Sequence, residues 1–145
     1  MKFLAIPAAA ALSLALAAAP AIGQNAMGGA KIMTTLSGAA EVAPGDTDGA
    51  GTFTGRVNPG QMQVCYDLTV RNIATATAAH IHEAPAGQNG GVVVTLSAPA
   101  TGSSSGCATV TRELAMELIK SPADYYVNVH NAAFPNGAVR GQLSK

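Results

Sequence analysis

The sequence predicts an all-β domain, an antiparallel two-sheet β-sandwich of about eight strands with one short helix. Segments rich in β-branched and apolar residues recur roughly every 8 to 15 positions, separated by Gly, Pro, Asn and Asp. The stretch from Met62 to Val70 alternates strictly, with Met62, Val64, Tyr66, Leu68 and Val70 set against Gln63, Cys65, Asp67 and Thr69. A period of two marks a strand with one buried face. Only one helical pattern is present, so there is no βαβ rhythm and no parallel sheet is expected.

The elements follow in order. Lys31 to Leu36 is the first strand, and Pro44 to Gly49 is a loop of turn residues. A Thr/Phe segment from Gly51 to Val57 leads into Asn58-Pro59-Gly60, a strong turn, so this strand and the alternating one form a hairpin. Thr75 to Glu83 is the next strand, and Ala84 to Gly91 is a Gly/Pro loop. Val92-Val93-Val94, within Gly91 to Leu96, reads as a well-covered strand. Ala98 to Gly106 is a Gly/Ser loop, and Cys107 to Val110 a short strand. Thr111 caps a helix over Arg112 to Lys120, whose Leu114, Ala115, Leu118 and Ile119 form one apolar stripe. Asp124 to His130 and Ala138 to Leu143 close the chain, joined by Phe134-Pro135-Asn136-Gly137.

Residues 1–23 read as a secretory signal peptide. Lys2 supplies the positive start, the run from Phe3 to about Ala19 is apolar, and Ala21-Ile22-Gly23 places small residues before a cut near Gly23/Gln24. The expected location is therefore periplasmic or secreted, with no membrane insertion after cleavage. Residues 24–30 form a flexible leader and 31–145 a single domain. Loss of Lys2 from the eight basic residues leaves seven against eight acidic ones, a net charge of −1. Without a basic stripe, nucleic acid is not an expected partner. The two cysteines, Cys65 and Cys107, most simply form one disulfide in an oxidising compartment. Such a bond contributes on the order of 4 kcal/mol by chain-entropy arguments. Cys65 lies on the polar face of its strand, which places the bond under the helix rather than between the sheets.

Five blocks, in order, resemble the CHRD domain, a family common in bacterial exported proteins. They are Leu36-Ser37-Gly38-Ala39-Ala40-Glu41-Val42, Cys65-Tyr66-Asp67-Leu68, Ala78-Ala79-His80-Ile81-His82, Tyr125-Tyr126-Val127-Asn128-Val129-His130 and Gly137-Ala138-Val139-Arg140-Gly141-Gln142-Leu143. One departure is Ala43-Pro44, where the family often has two prolines. The resemblance implies an immunoglobulin-like or dismutase-like sandwich with Greek-key connections. It implies no activity.

All three histidines fall within these blocks. His80 and His82, two apart on a strand, project from one face about 6 to 7 Å apart. Tyr126, Asn128 and His130 share a face by the same rule. If the two strands are neighbours, three imidazoles meet, a donor set that suits Cu²⁺ or Zn²⁺ with copper favoured. Glu41, Asp67, Asn128 and Arg140 are polar residues able to orient such ligands. The other reading keeps the histidines as hydrogen-bonding residues of the sandwich, in a non-catalytic module that presents loops to a protein partner. A His-x-His strand is similar to that of copper-zinc superoxide dismutases, but three histidines cannot supply a two-metal site of that type. The serines lack a nucleophile elbow, Asp46-Thr47-Asp48-Gly49 lacks the remaining ligands of a calcium loop, and Gly87-Gln88-Asn89-Gly90-Gly91 precedes no phosphate-binding helix. No catalytic residues are assigned.

Overall fold

Alternation builds the strands of this protein, and a computed structural model shows how they pair. The structure describes residues 28–145, so the signal-peptide reading and most of the leader lie outside the described residues. Eight strands are present: β1 (Ala30–Ser37), β2 (Ala50–Asn58), β3 (Gln63–Arg71), β4 (Ala76–Glu83), β5 (Gly91–Leu96), β6 (Ser103–Thr109), β7 (Tyr125–Asn131) and β8 (Val139–Gln142). One helix, α1 (Arg112–Lys120), lies between β6 and β7. Ala30, read as part of the leader, instead opens β1 opposite Val57.

Every pairing is antiparallel, and the strands form one sheet in the order β5-β4-β7-β8-β1-β2-β3-β6. Two four-stranded halves meet at a narrow seam, where Ser37 of β1 pairs with Arg140 of β8 and Met33 bridges Ser144. At the other end, side chains close the gap. The Ser104 hydroxyl of β6 donates to the Ser97 carbonyl just after β5 at 2.7 Å, and the Ser97 N–H donates to the Tyr66 hydroxyl at 2.7 Å. The result is barrel-like and continuous where two separate sheets were expected. A hydrophobic pattern reports which face is buried, not which strand sits beside which, so a seam of this kind leaves no trace in the pattern.

The core fills the space inside this sheet. Ile32, Val57, Val64, Leu68, Ile81 and Val127 are fully buried, and burial of each such side chain contributes about 1.5–3 kcal/mol. Phe53 stacks on Tyr66 with ring centroids 6.0 Å apart. Helix α1 lies against β1 and β2 and adds Ala115 and Leu118 to the core. Its cap is as expected: the Thr111 hydroxyl accepts the Leu114 N–H at 3.1 Å.

Three local expectations change, and one turn is added where the sequence assigns no element. Strand β6 begins at Ser103, within the supposed Gly/Ser loop, because Ser103–Ser105 pair with Thr69–Asp67 through backbone bonds that need no apolar side chains. Strand β5 is an edge strand, and Val92 is 51% exposed rather than well covered. A 3-10 turn at Gly38–Ala40 interrupts the loop after β1. The Cys65–Cys107 disulfide is present, but it links directly paired residues of β3 and β6 on the outer face. Cys107 is exposed, so the helix does not cover the bond.

Strand β7, like β8, departs from one-sided burial. Its inner residues Tyr125, Val127 and Val129 belong to the core, yet Tyr126 and Asn128 on the outer face are also buried. The loop between β4 and β5 roofs that face through Gly90, whose N–H donates to the Tyr126 hydroxyl. Among the described residues no helix is long and apolar enough to cross a membrane.

Candidate metal centre

Register assembles the site. On the outer face of the β4–β7–β8 half, His80 lies opposite Asn128, which lies opposite Arg140. One row along, His82 lies opposite Tyr126, which lies opposite Gln142. His130 sits opposite Ala78, one row on the other side. Residues directly opposite one another share a face, so the three imidazoles converge although His130 is 50 positions beyond His80.

Each imidazole offers one nitrogen to a group in which those atoms all lie within 4.8 Å of one another. His80 Nδ1 and His130 Nε2 are 3.2 Å apart. Four nitrogens held tetrahedrally on an ion at bonds of ~2.0–2.1 Å would be about 3.3 Å apart. The His80–His130 pair already has that separation, and the other pairs lie within 4.8 Å.

Backbone carbonyls set two of the tautomers. His82 Nδ1 is 2.9 Å from the Gly90 carbonyl, and His130 Nδ1 is 3.0 Å from the Pro135 carbonyl. A carbonyl only accepts, so both Nδ1 atoms carry the proton and both Nε2 atoms present a lone pair. His82 Nε2 is buried and has no hydrogen-bond partner. An orphaned buried acceptor carries a desolvation cost of about 1–3 kcal/mol. A cation placed among the three rings removes that cost, which makes the donor set fit an imidazole-binding metal.

Electrostatics favour the neutral, ligating form. Burial holds the His80 pKa below the usual histidine value, and His130 and His82 push it the same way. Burial also lowers the His130 pKa, with the Pro135 carbonyl acting in the opposite direction.

A stack braces the cluster. The His82 ring lies on Tyr126 at 4.8 Å with planes 4° apart, and the Arg140 guanidinium carbon lies 3.3 Å from the Tyr126 ring centroid. Arg140 is 1% exposed and donates to the Gln88 carbonyl at 2.6 Å, the Asn89 side chain at 3.2 Å and the Pro85 carbonyl at 3.3 Å. The Tyr126 hydroxyl accepts the Gly90 N–H at 3.2 Å, while the Gly90 carbonyl accepts a hydrogen bond from His82 Nδ1–H. Gly90 thus joins ligand and brace through its backbone alone. A Cβ there would overlap the Glu83 carbonyl, so the position has no room for a side chain.

The remaining polar candidates separate. Asn128 is 3% exposed and lines an open cleft of about 280 Å³ beside the cluster, together with His82, His130, Tyr126 and Asn136. Arg140 lies on the Tyr126 ring that stacks with His82, and it holds the loop that carries Gly90. Glu41 follows the 3-10 turn in the loop after β1, within the field of Arg140, and burial raises its pKa to about 7. Asp67 lies on β3 in the other half of the sheet, exposed and facing Ser105 and Thr54 across its neighbours, so it does not orient the histidines. Glu83, adjacent to His82, is exposed at the end of β4 and outside the cluster.

Sequence reasoning missed Tyr126 and Gly90. The facing rule put Tyr126 on the histidine side of β7 but assigned it no role, and the Gly-rich loop was judged only as a phosphate cradle. Its carbonyls bind a guanidinium and an imidazole instead.

Fold and cluster define a disulfide-bonded, all-β domain that carries a three-histidine group on its outer face. The CHRD domain family matches residues 32–143, nearly the whole of that domain, and the chain belongs to this family. None of the curated proteins and none of the solved structures searched shows a significant match to it.

Proposed function

We propose that this CHRD protein is an exported metal-binding module that holds one copper or zinc ion through His80, His82 and His130. The observation that carries the reading is His82 Nε2, a buried lone pair without a partner, in a ring whose Nδ1–H donates to the Gly90 carbonyl and whose ligand nitrogen lies within 4.8 Å of those of two further imidazoles. Copper is favoured because imidazole sites bind Cu²⁺ most tightly among divalent first-row ions. The ion would supply Lewis acidity or, as copper, one-electron chemistry. The protein's own groups hold the rings: Gly90 and Pro135 fix two tautomers, and Tyr126 stacks on His82. If His80 ligated through Nδ1, its proton would reside on Nε2 and the ion would take the place of the His80–His130 hydrogen bond.

Export is part of the proposal. It rests on the residue pattern of positions 1–23 and on the Cys65–Cys107 bond, which persists in oxidising compartments.

The test is metal content of untagged protein from the periplasm or medium, followed by copper and zinc titration. One copper per chain, lost in the His80→Ala/His82→Ala/His130→Ala variant, is the expected result. Equal copper uptake by wild type and triple variant defeats the reading.

A further inference from the structure

We infer that the metal centre is coordinatively open and takes a small exogenous ligand in the cleft, held by a hydrogen bond donated to Asn128. The inference rests on the metal reading above and adds what the ion would bind. Three observations carry it. First, among the described residues the cluster contains three histidines and no carboxylate or thiolate. Structural zinc sites are closed by four protein ligands, whereas three protein ligands leave a position for water or substrate. Second, that position has somewhere to lead, because His82 and His130 both line the open cleft of about 280 Å³. Third, Asn128 Oδ1 is buried, has no hydrogen-bond partner and belongs to a residue lining the same cleft.

An amide oxygen of this kind needs a donor. A water held by an ion at the open position would have one to give, its hydrogen donated to Asn128. The chemical class of ligand is therefore a small oxygen or nitrogen donor that still carries a proton when bound. Bare anions such as azide can occupy the position only by forfeiting that hydrogen bond. Asn128 is a positioning residue for the ligand.

The test uses the copper-loaded full-length protein. Water-proton relaxation reports an inner-sphere water, and azide reports the exchangeable position through its charge-transfer band. The expected result is a relaxivity above that of the copper-free protein that falls as azide binds. In copper-loaded Asn128→Leu, azide binds about fivefold more tightly, because the water it displaces has lost one net hydrogen bond. Should the leucine variant fold poorly, Asn128→Asp keeps an acceptor and adds negative charge, so its azide affinity falls below wild type.

A copper-bound wild type with no inner-sphere water and no azide band overturns the inference while leaving the metal reading intact. So does an Asn128→Leu protein whose copper affinity drops as far as that of a single histidine variant, since Asn128 would then be the fourth ligand. A wild type that takes up no copper defeats the metal reading, and this inference with it.

Discussion

Gly90→Ala is the sharpest test of how the loop between β4 and β5 supports the cluster. The new Cβ would overlap the Glu83 carbonyl and come within 3.0 Å of the Ala84 Cβ, so the loop must move. Movement breaks the bond from His82 Nδ1 to the Gly90 carbonyl and the bond from the Gly90 N–H to the Tyr126 hydroxyl. Each is worth about 1 kcal/mol net, and the displaced strand end adds strain, for a stability loss of about 2–4 kcal/mol. In a domain of this size that lowers the melting temperature by roughly 10 °C. The His82 ring also loses the group that fixes its tautomer, which costs about 10–100-fold in metal affinity. The neighbouring glycine is the control: a Cβ at Gly91 meets nothing within 4 Å, so Gly91→Ala stays within about 0.5 kcal/mol of wild type. Urea denaturation and copper titration of the two variants side by side decide the matter. A Gly90→Ala protein as stable and as tight for copper as Gly91→Ala refutes the argument.

Three further outcomes are expected. The folded Glu41 carboxyl holds a proton that the unfolded chain releases between pH 4.5 and about 7, so the Glu41 contribution to stability falls as pH rises through that window, opposing the rise that the lowered His80 and His130 pKa values give. Glu41→Gln removes that contribution, so the variant gains on wild type as pH rises, and at pH 8 its urea midpoint corresponds to a gain of about 1 kcal/mol, a figure reduced for the group's partial exposure. Arg140→Met leaves the Pro85 and Gln88 carbonyls and the Asn89 side chain without their donor; thermal unfolding should show a loss of about 3 kcal/mol or more. Cys65→Ser/Cys107→Ser should cost up to about 4 kcal/mol in urea, while copper affinity stays at the wild-type value because the bond lies in the half of the sheet without histidines.

Much of this protein follows from local pattern. Alternation over Gln63–Arg71 defines β3 and its buried face, and Thr111 with the stripe ending at Ile119 defines α1. The rule that residues two apart share a face puts His80 with His82, and Tyr126 with Asn128 and His130. These features are legible because each depends on a few neighbouring residues and on the geometry of one strand or one helix turn.

The rest depended on which backbones pair. The pairing of β4 with β7 brings His130 to His80, and nothing within either segment specifies that partner. Strand β6 exists because β3 offers a free edge, so its Ser/Gly sequence was no guide. Val92 is exposed because β5 ends the sheet, a position its β-branched composition does not encode. Asp67 resembles the other polar candidates in sequence yet lies in the opposite half of the sheet. The Gly90 loop, silent as a motif, supplies the carbonyl that orients His82. The residue types able to bind a metal were thus determined by the sequence itself. Their convergence, bracing and open cleft were decided by long-range hydrogen bonding between strands, where a residue's neighbours across the sheet are set by the whole chain's burial rather than by its own surroundings.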